Sequence, residues 1–317
     1  MTDRKLPFPK RAHVELTSIC NFKCITCKHG YIHYGQDMDD NVCDILIHEI
    51  IPHLEEIELQ GTGESLLSHN FNRVFDEIIK TSDCKLLLIT NASLLNKEYI
   101  HKFVRANMQI VFSLDGANDE IFHKHRPVGD FNEIRKNIEL LRDMKKEFPL
   151  SRLSTVINMV LTKHNMHSIK KMIDFAIGMN IDYLFVSEVR PCMPDTAQWD
   201  DLRLDRNEMR DDLWCNIIMA EEYAKQNNLG FRFNSYHKTP IVQKEICPSP
   251  WQHVFISADG NVSFCCELNS SLGNLKEMSF ETIWNGDRMN LFRNQMLLGE
   301  YHAQCLRCCL PWGITHG

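Results

Sequence analysis

The sequence predicts an α/β fold, an open or partial barrel of parallel strands followed by a small C-terminal α+β domain. Three observations predict it. From residue 12 to about 235, short apolar runs alternate with longer amphipathic stretches. Several of the short runs are apolar almost without interruption, as strands covered on both faces are. Beyond Cys247 the alternation gives way to a hairpin pattern and a new group of cysteines. Strands are expected at 13–16, 57–60, 86–90, 110–114, 155–161 and 183–186. Between them, 41–53, 70–81, 96–106, 131–147 and 166–179 carry helical periodicity, with Asp130 placed to cap the fourth. Strands alternating with helices make right-handed βαβ units on a parallel sheet, and six units fall short of a closed eight-stranded barrel. A further helix over about 205–228 ends at Asn228-Leu229-Gly230, a stop signal. Then 254–257, the turn Asp259-Gly260 and 262–264 read as a hairpin, followed by two short helical stretches. The expected division is a barrel over 1–239 and a small domain over 240–317.

Composition narrows the function. The 317 residues are 44% hydrophobic and 24% charged, ordinary for a packed globular chain. A net charge of −7 argues against a nucleic-acid surface, which shows an excess of Lys and Arg. No run of eighteen apolar residues occurs and the N-terminus lacks the apolar core of a signal peptide, so a cytoplasmic protein with no membrane partner is expected. Thirteen cysteines are many for a reducing compartment, where metal binding is a better account of them than disulfides.

The first cysteine group, Cys20, Cys24 and Cys27 in CNFKCITC, follows directly on the first strand. It therefore lies at the C-terminal mouth of the sheet, where parallel α/β folds collect their ligands. A closed iron–sulfur cubane takes four thiolates, so a compact trio suggests a cluster with one iron left open. Cys24 and Cys27 with His29 and His33 would also suit a small zinc knuckle. The loop after the second strand, LQGTGESLL, brings Gly61, Thr62, Gly63 and Glu64 to the same rim; the glycines permit close backbone approach and Glu64 supplies a carboxylate. Asn91 ends the third strand, and Ser113 and Asp115 end the fourth. Polar residues at four successive strand ends favour a site. The second group is Cys247, Cys265, Cys305 and Cys308, whose spacing suits a zinc ribbon as well as an iron–sulfur cluster. Cys266 and Cys309 stand as spares beside it.

These residues resemble those of radical S-adenosylmethionine (SAM) enzymes, in which a CxxxCxxC trio holds a [4Fe–4S] cluster whose open iron chelates SAM. The resemblance implies a partial (β/α)6 barrel. It implies that Gly61 to Glu64 form the GGE-type motif that receives the methionyl amino group. Ser113 and Asp115 fall in the strand that contacts the ribose or methionyl portion, and Arg126, in HKHRPVGDF, falls near the SAM carboxylate. Where many members carry an aromatic residue before the third cysteine, this chain has Thr26. CPSPW, ADGNVSFC and LGNL…ETIW resemble the Twitch domain, a shortened relative of the SPASM domain, in which four cysteines bind one auxiliary [4Fe–4S] cluster. The chain ends eight residues after Cys309, which favours Twitch over a full SPASM domain.

The implied chemistry is reductive cleavage of SAM to a 5′-deoxyadenosyl radical, which abstracts a substrate hydrogen. The electron comes from a low-potential donor such as flavodoxin or ferredoxin. An auxiliary cluster closed by four thiolates suits electron relay, and hence a two-electron oxidation of a sugar or cyclitol. The 2-deoxy-scyllo-inosamine dehydrogenase type, which this architecture resembles, does such chemistry. Glu188, Arg190 and His237 are the polar residues placed to take the hydroxyl proton. Alternatively, Cys192 in EVRPCMP returns a hydrogen in an epimerase. A peptide-modifying maturase is a third reading, disfavoured because a barrel that starts at residue 12 leaves no N-terminal leader-recognition domain. Outside enzymes, a cysteine–metal sensor or scaffold would use both groups structurally.

Overall fold

The computed structural model describes residues 5–27, 35–81, 84–189, 201–204, 210–234, 246–268 and 270–306. In chain order, β1 (Arg11–Val14) leads to α1 (Asp40–Ile45), β2 (Glu56–Leu59), α2 (Phe71–Lys80), β3 (Lys85–Thr90), α3 (Lys97–Phe103) and β4 (Met108–Ser113). Next come α4 (Asp119–His125), α5 (Phe131–Glu147), β5 (Ser154–Leu161), α6 (Ile169–Gly178), β6 (Tyr183–Glu188), α7 (Arg210–Gln226) and β7 (Gly230–Asn234). The tail adds α8 (Ser249–Gln252), β8 (His253–Ile256), β9 (Asn261–Ser263), β10 (Gly273–Asn274), α9 (Phe280–Trp284), α10 (Asp287–Leu297) and α11 (Ala303–Leu306).

Ahead of the tail the expected strands and helices are present, with three main differences. The helix expected over 41–53 is α-helical only to Ile45, then a π-turn over Leu46–Ile50 and a 3-10 turn over Ile51–His53. Pro52 accounts for the change, since it has no N–H to continue an α-helical ladder. α4 was hidden in a short polar stretch; it is started by Asn118, whose side chain accepts from Ile121 N–H. A seventh strand, β7, follows the Asn228-Leu229-Gly230 stop, with Asn228 at φ 57° closing the helix before it. Asp130 does cap α5, accepting from Asn132 and Glu133 N–H.

The described residues form two compact units. The first draws on 1–20, 34–87 and 239–317. Its strands run β10-β9-β8-β1-β2. β1 is parallel to β2 on one side and to β8 on the other, pairing Arg11 with Glu56 and with His253, and Val14 with Leu59 and with Ile256. Thus the hairpin β8–β9, expected as part of a separate small domain, adds a strand directly to β1. Trp284 and Phe280 of α9 are wholly buried and stack at 6.1 Å, and Trp284 Nε1–H donates to Pro7 O at 2.8 Å. Arg293 crosses this core as a buried cation over the Trp284 ring, donating to Pro250 O and Trp284 O. Burial pulls it down to about 10.

The second unit draws on 21–33 and 88–238. Its strands β4, β5, β6 and β7 are parallel neighbours. Ile110, Ile157, Leu184 and Val186 on one face are fully buried. On the other face, Ser113 pairs with Asn158, which pairs with Phe185, and all three are half-buried. Residues directly opposite one another share a face, so this row lines the more open side of the sheet. No helix among the described residues is long and apolar enough to cross a membrane.

Candidate active site

In the first unit the candidate residues begin where β1 stops. Thr17 bridges Asp37, and Ser18 and Gln36 exchange bonds, Ser18 N–H to Gln36 O and Gln36 N–H to Ser18 Oγ, both 2.9 Å. These contacts hold the strand end that leads into half-buried Cys20. The Gly61–Glu64 loop lies against the same segment. A Cβ on Gly63 would strike the carbonyl oxygens of Thr17 and Ile19, and Glu64 N–H donates to Ile19 O at 2.9 Å. Glu64 is buried, and its carboxylate caps the following 3-10 turn at Leu66 N–H. A Cβ on Gly61 would run into the side chain of Glu15. Glu15 Oε1 accepts from Thr62 N–H and Thr62 Oγ–H, both 2.7 Å, and Oε2 from Ala258 N–H at 3.3 Å. Glu15 was not singled out from the sequence, where it reads as one polar residue in a strand.

In the second unit, Cys24 and Cys27 lie on a tight turn, Cys27 N–H donating to Cys24 O at 3.2 Å. Arg126, buried, donates from Nη1 to Cys24 Sγ at 3.3 Å and from Nη2 to Asp115 Oδ2 at 2.9 Å. Burial opposes its charge, but Asp115 and Cys24 beside it hold the guanidinium above its ordinary value. Asp115 is wholly buried; its Oδ1 accepts from Val160 N–H at 2.9 Å, so both carboxylate oxygens are engaged inside the unit. Asn165 braces the same corner, donating to Asp115 O and Val160 O at 2.9 Å. Asn91 donates to Asn21 Oδ1 at 2.9 Å, while Asn21 donates to Ser93 Oγ at 2.9 Å. Between Asn91 and Ser93, Ala92 holds a left-handed φ of 65°, fixed by Asn137 donating to Ala92 O. Such strain in a non-glycine residue collects at functional rims.

Among the described residues, buried Arg126 Nε and Asn158 Oδ1 have no hydrogen-bond partner. The first is a cationic donor beside Cys24, suited to an anionic ligand; the second is an acceptor one strand from Ser113, suited to a hydroxyl or amine. The donor set therefore fits a thiolate-held cluster with a polar, carboxylate-bearing ligand. Glu188 is half-buried at the end of β6 opposite Leu161. Arg190, Cys192 and His237 lie outside the described residues, as do His29 and His33.

The tail cysteines gather in the first unit. Cys247, Cys265 and Cys305 line one hollow, walled by Phe264, Leu268 and Met296. Cys265 is fixed by Ser263, whose hydroxyl donates to Cys265 O (2.9 Å) and accepts from Cys265 N–H (3.2 Å). Glu267 N–H lies 3.5 Å from Cys265 Sγ, the kind of donor that tunes an iron–sulfur cluster. Cys266 lies beside it, its thiol hydrogen-bonded to both Cys265 and His13; the bond to Cys265 and burial raise that thiol well above the ordinary range, and His13 opposes them. Cys308 and Cys309 lie outside the described residues. A single zinc ion needs ligands converging on one point. Among the described residues no three His, Cys, Asp or Glu do so.

Comparison with known proteins gives this arrangement its family. The pattern of the radical SAM superfamily matches residues 14–176, more than half of the chain. That of the SPASM iron-sulfur cluster-binding domain matches 247–309. The tungsten-containing aldehyde ferredoxin oxidoreductase cofactor-modifying protein of Pyrococcus furiosus is 26% identical, over 95% of this chain and 87% of its own length. The antilisterial bacteriocin subtilosin biosynthesis protein AlbA of Bacillus subtilis is 24% identical, over 89% of this chain and 60% of its own. Streptococcus suis SuiB bound to S-adenosylmethionine superposes with a TM-score of 0.69 at 17% identity, over 88% of this chain and 66% of SuiB. In its structure with the precursor peptide SuiA the TM-score is again 0.69, over 97% of this chain and 71% of SuiB. Those structures share the fold. Matched over more than half of its length and again over its tail, the chain belongs to the radical SAM superfamily and is an enzyme that binds [4Fe–4S] clusters and SAM.

Proposed function

We propose that the enzyme is a maturase that removes two electrons from a peptide or peptide-like substrate, with the tail cluster receiving the second electron. The observation that carries this reading is the hollow lined by Cys247, Cys265 and Cys305. With Cys308 as the fourth thiolate, a cluster there has no iron open to substrate and is left with electron transfer. When bound, the first cluster and SAM supply a 5′-deoxyadenosyl radical that takes a hydrogen atom, and the second cluster supplies a one-electron acceptor. Loss of that hydrogen atom, one further electron and a proton completes the two-electron oxidation.

The chain's own residues do the rest. Cys20, Cys24 and Cys27 hold the first cluster, and Gly61, Thr62, Gly63 and Glu64 receive the amino group of SAM. The orphan Nε of Arg126 suits the SAM carboxylate, and Asn91, Ser113 and Asn158 offer the polar contacts. Asp115 keeps Arg126 charged and oriented. Glu188 is the described residue best placed to take the substrate proton; Arg190 and His237 are further candidates. A flavodoxin or ferredoxin in the cytoplasm suits the role of electron donor.

The peptide class is supported by the names of the relatives: AlbA belongs to bacteriocin biosynthesis and SuiB is seen with a precursor peptide. The Pyrococcus furiosus relative modifies a cofactor, which keeps small molecules in view. Oxidation of a sugar or cyclitol uses the same electron path, and epimerisation would add Cys192 as hydrogen donor. The test is anaerobic reconstitution, iron and sulfide counting, then a deoxyadenosine assay with precursor peptides and hydroxylated small molecules in parallel. About eight irons and a peptide product lighter by two hydrogens are expected. Turnover of cyclitols alone overturns the peptide assignment. An inverted product that disappears in Cys192→Ala, while deoxyadenosine formation persists, overturns the oxidation.

A further inference from the structure

Glu15 is a buried carboxylate with no ion-pair partner among the described residues. Burying a charge is costly, and a neutral residue would fill the space at lower cost, so the carboxylate's bonds are the place to look for its purpose. Those bonds divide cleanly. One oxygen takes both donors of Thr62, in the middle of the SAM loop. The other takes the N–H of Ala258, in the turn of the tail hairpin. The first glycine of the loop is explained by the same side chain, because a Cβ at Gly61 would occupy the space of Glu15.

We infer that Glu15 is a positioning residue that ties the Gly61–Glu64 loop to the turn of the cluster-binding tail, so that SAM binding and docking of that turn stabilise one another. This rests on the assignment of Gly61–Glu64 to SAM. By linkage, whatever SAM gains from an ordered turn, the turn gains from SAM. A carboxylate suits this because both of its oxygens accept. Glutamine keeps an acceptor for Thr62 but presents an N–H to the N–H of Ala258. Ala258 permits the same cut from the other side. It holds the second position of the turn closed by Gly260 N–H to Ser257 O at 2.9 Å, a position that takes proline readily. Ala258→Pro deletes the N–H and sets a ring carbon in its place, which pushes the turn off Glu15 Oε2.

The test is hydrogen exchange on the reconstituted full-length holoenzyme with and without SAM, alongside equilibrium SAM binding. SAM should slow exchange over 60–64 and at the Ala258 amide together. Glu15→Gln and Ala258→Pro should each weaken SAM about tenfold with iron content unchanged, and the double variant should be no weaker than either single one. Slowing over 60–64 with Ala258 unchanged in the wild-type protein overturns the inference while leaving the loop assignment intact. Wild-type SAM affinity in a folded, iron-loaded Ala258→Pro does the same. If SAM slows neither segment, the loop assignment itself falls. The wild-type measurement decides even where a variant loses its iron.

Discussion

At the scale of single residues, the cysteine neighbours Cys265 and Cys266 show how one position separates two roles. Their order in the sequence does not say which faces a cluster; the Ser263 hydroxyl bonds the backbone of Cys265, which lines the hollow, while Cys266, its thiol bonded to Cys265 and His13, is not among the lining residues. Cys265→Ser is therefore expected to lower iron by about four per chain, while Cys266→Ser keeps it, as measured by iron and sulfide analysis. The buried Arg126–Asp115 pair makes a different prediction. Removing Asp115 leaves a buried cation uncompensated, and Asp115→Ala should lose about 3–5 kcal/mol in anaerobic denaturant unfolding. The cysteine groups stand out in the sequence by their spacing, whereas the glycine loop and Arg126 are singled out by the resemblance to radical SAM enzymes. Glu15 and Asn158 were not, since each acquires meaning only from partners far away in the chain.

Between neighbouring elements, the N-terminus of α2 is clasped to the segment before α1. His69 lies between Asp37 and Asp40, its Nε2 at 2.8 Å from Asp40 and its Nδ1 against Asp37. Bonds to Asp40 and Asp37 raise His69 above its ordinary value of 6.5. The clasp therefore contributes in full below about pH 6.5 and fades as pH rises through the raised value. His69 is largely exposed, so the effect should be local. Exchange over 35–40 should quicken with rising pH beyond its intrinsic rate, and His69→Gln should abolish that extra dependence. The glycine loop gives a sharper expectation. With no room for a Cβ at Gly63, Gly63→Ala should displace the loop from Thr17 and Ile19 and weaken SAM tenfold or more in equilibrium binding. Element boundaries were legible where apolar periodicity is long, as in α5, and blurred where Pro52 reshapes a helix or Asn118 starts a short polar one.

For the molecule as a whole, the pairing of β8 with β1 matters most. The sequence shows an apolar run at each place, but no local pattern announces that two strands about 240 residues apart lie side by side. A chain ending before Cys247 should expose the edge of β1 and the apolar surfaces that cover Trp284. Its expected behaviour is aggregation or loss of cooperative unfolding, checked by light scattering and thermal melts. A monomeric, cooperatively melting truncation would show that the remaining chain folds alone.

The same pairing imposes a schedule on synthesis. The neighbour that β1 pairs with, β8, is made some 240 residues after it. At about 5–20 residues per second the nascent strand waits on the order of ten to fifty seconds with one edge unclaimed. Parallel pairing over such a separation is also slow once both strands exist. Cys20, a few residues beyond β1, is thus made well before the strand that completes the sheet beside it.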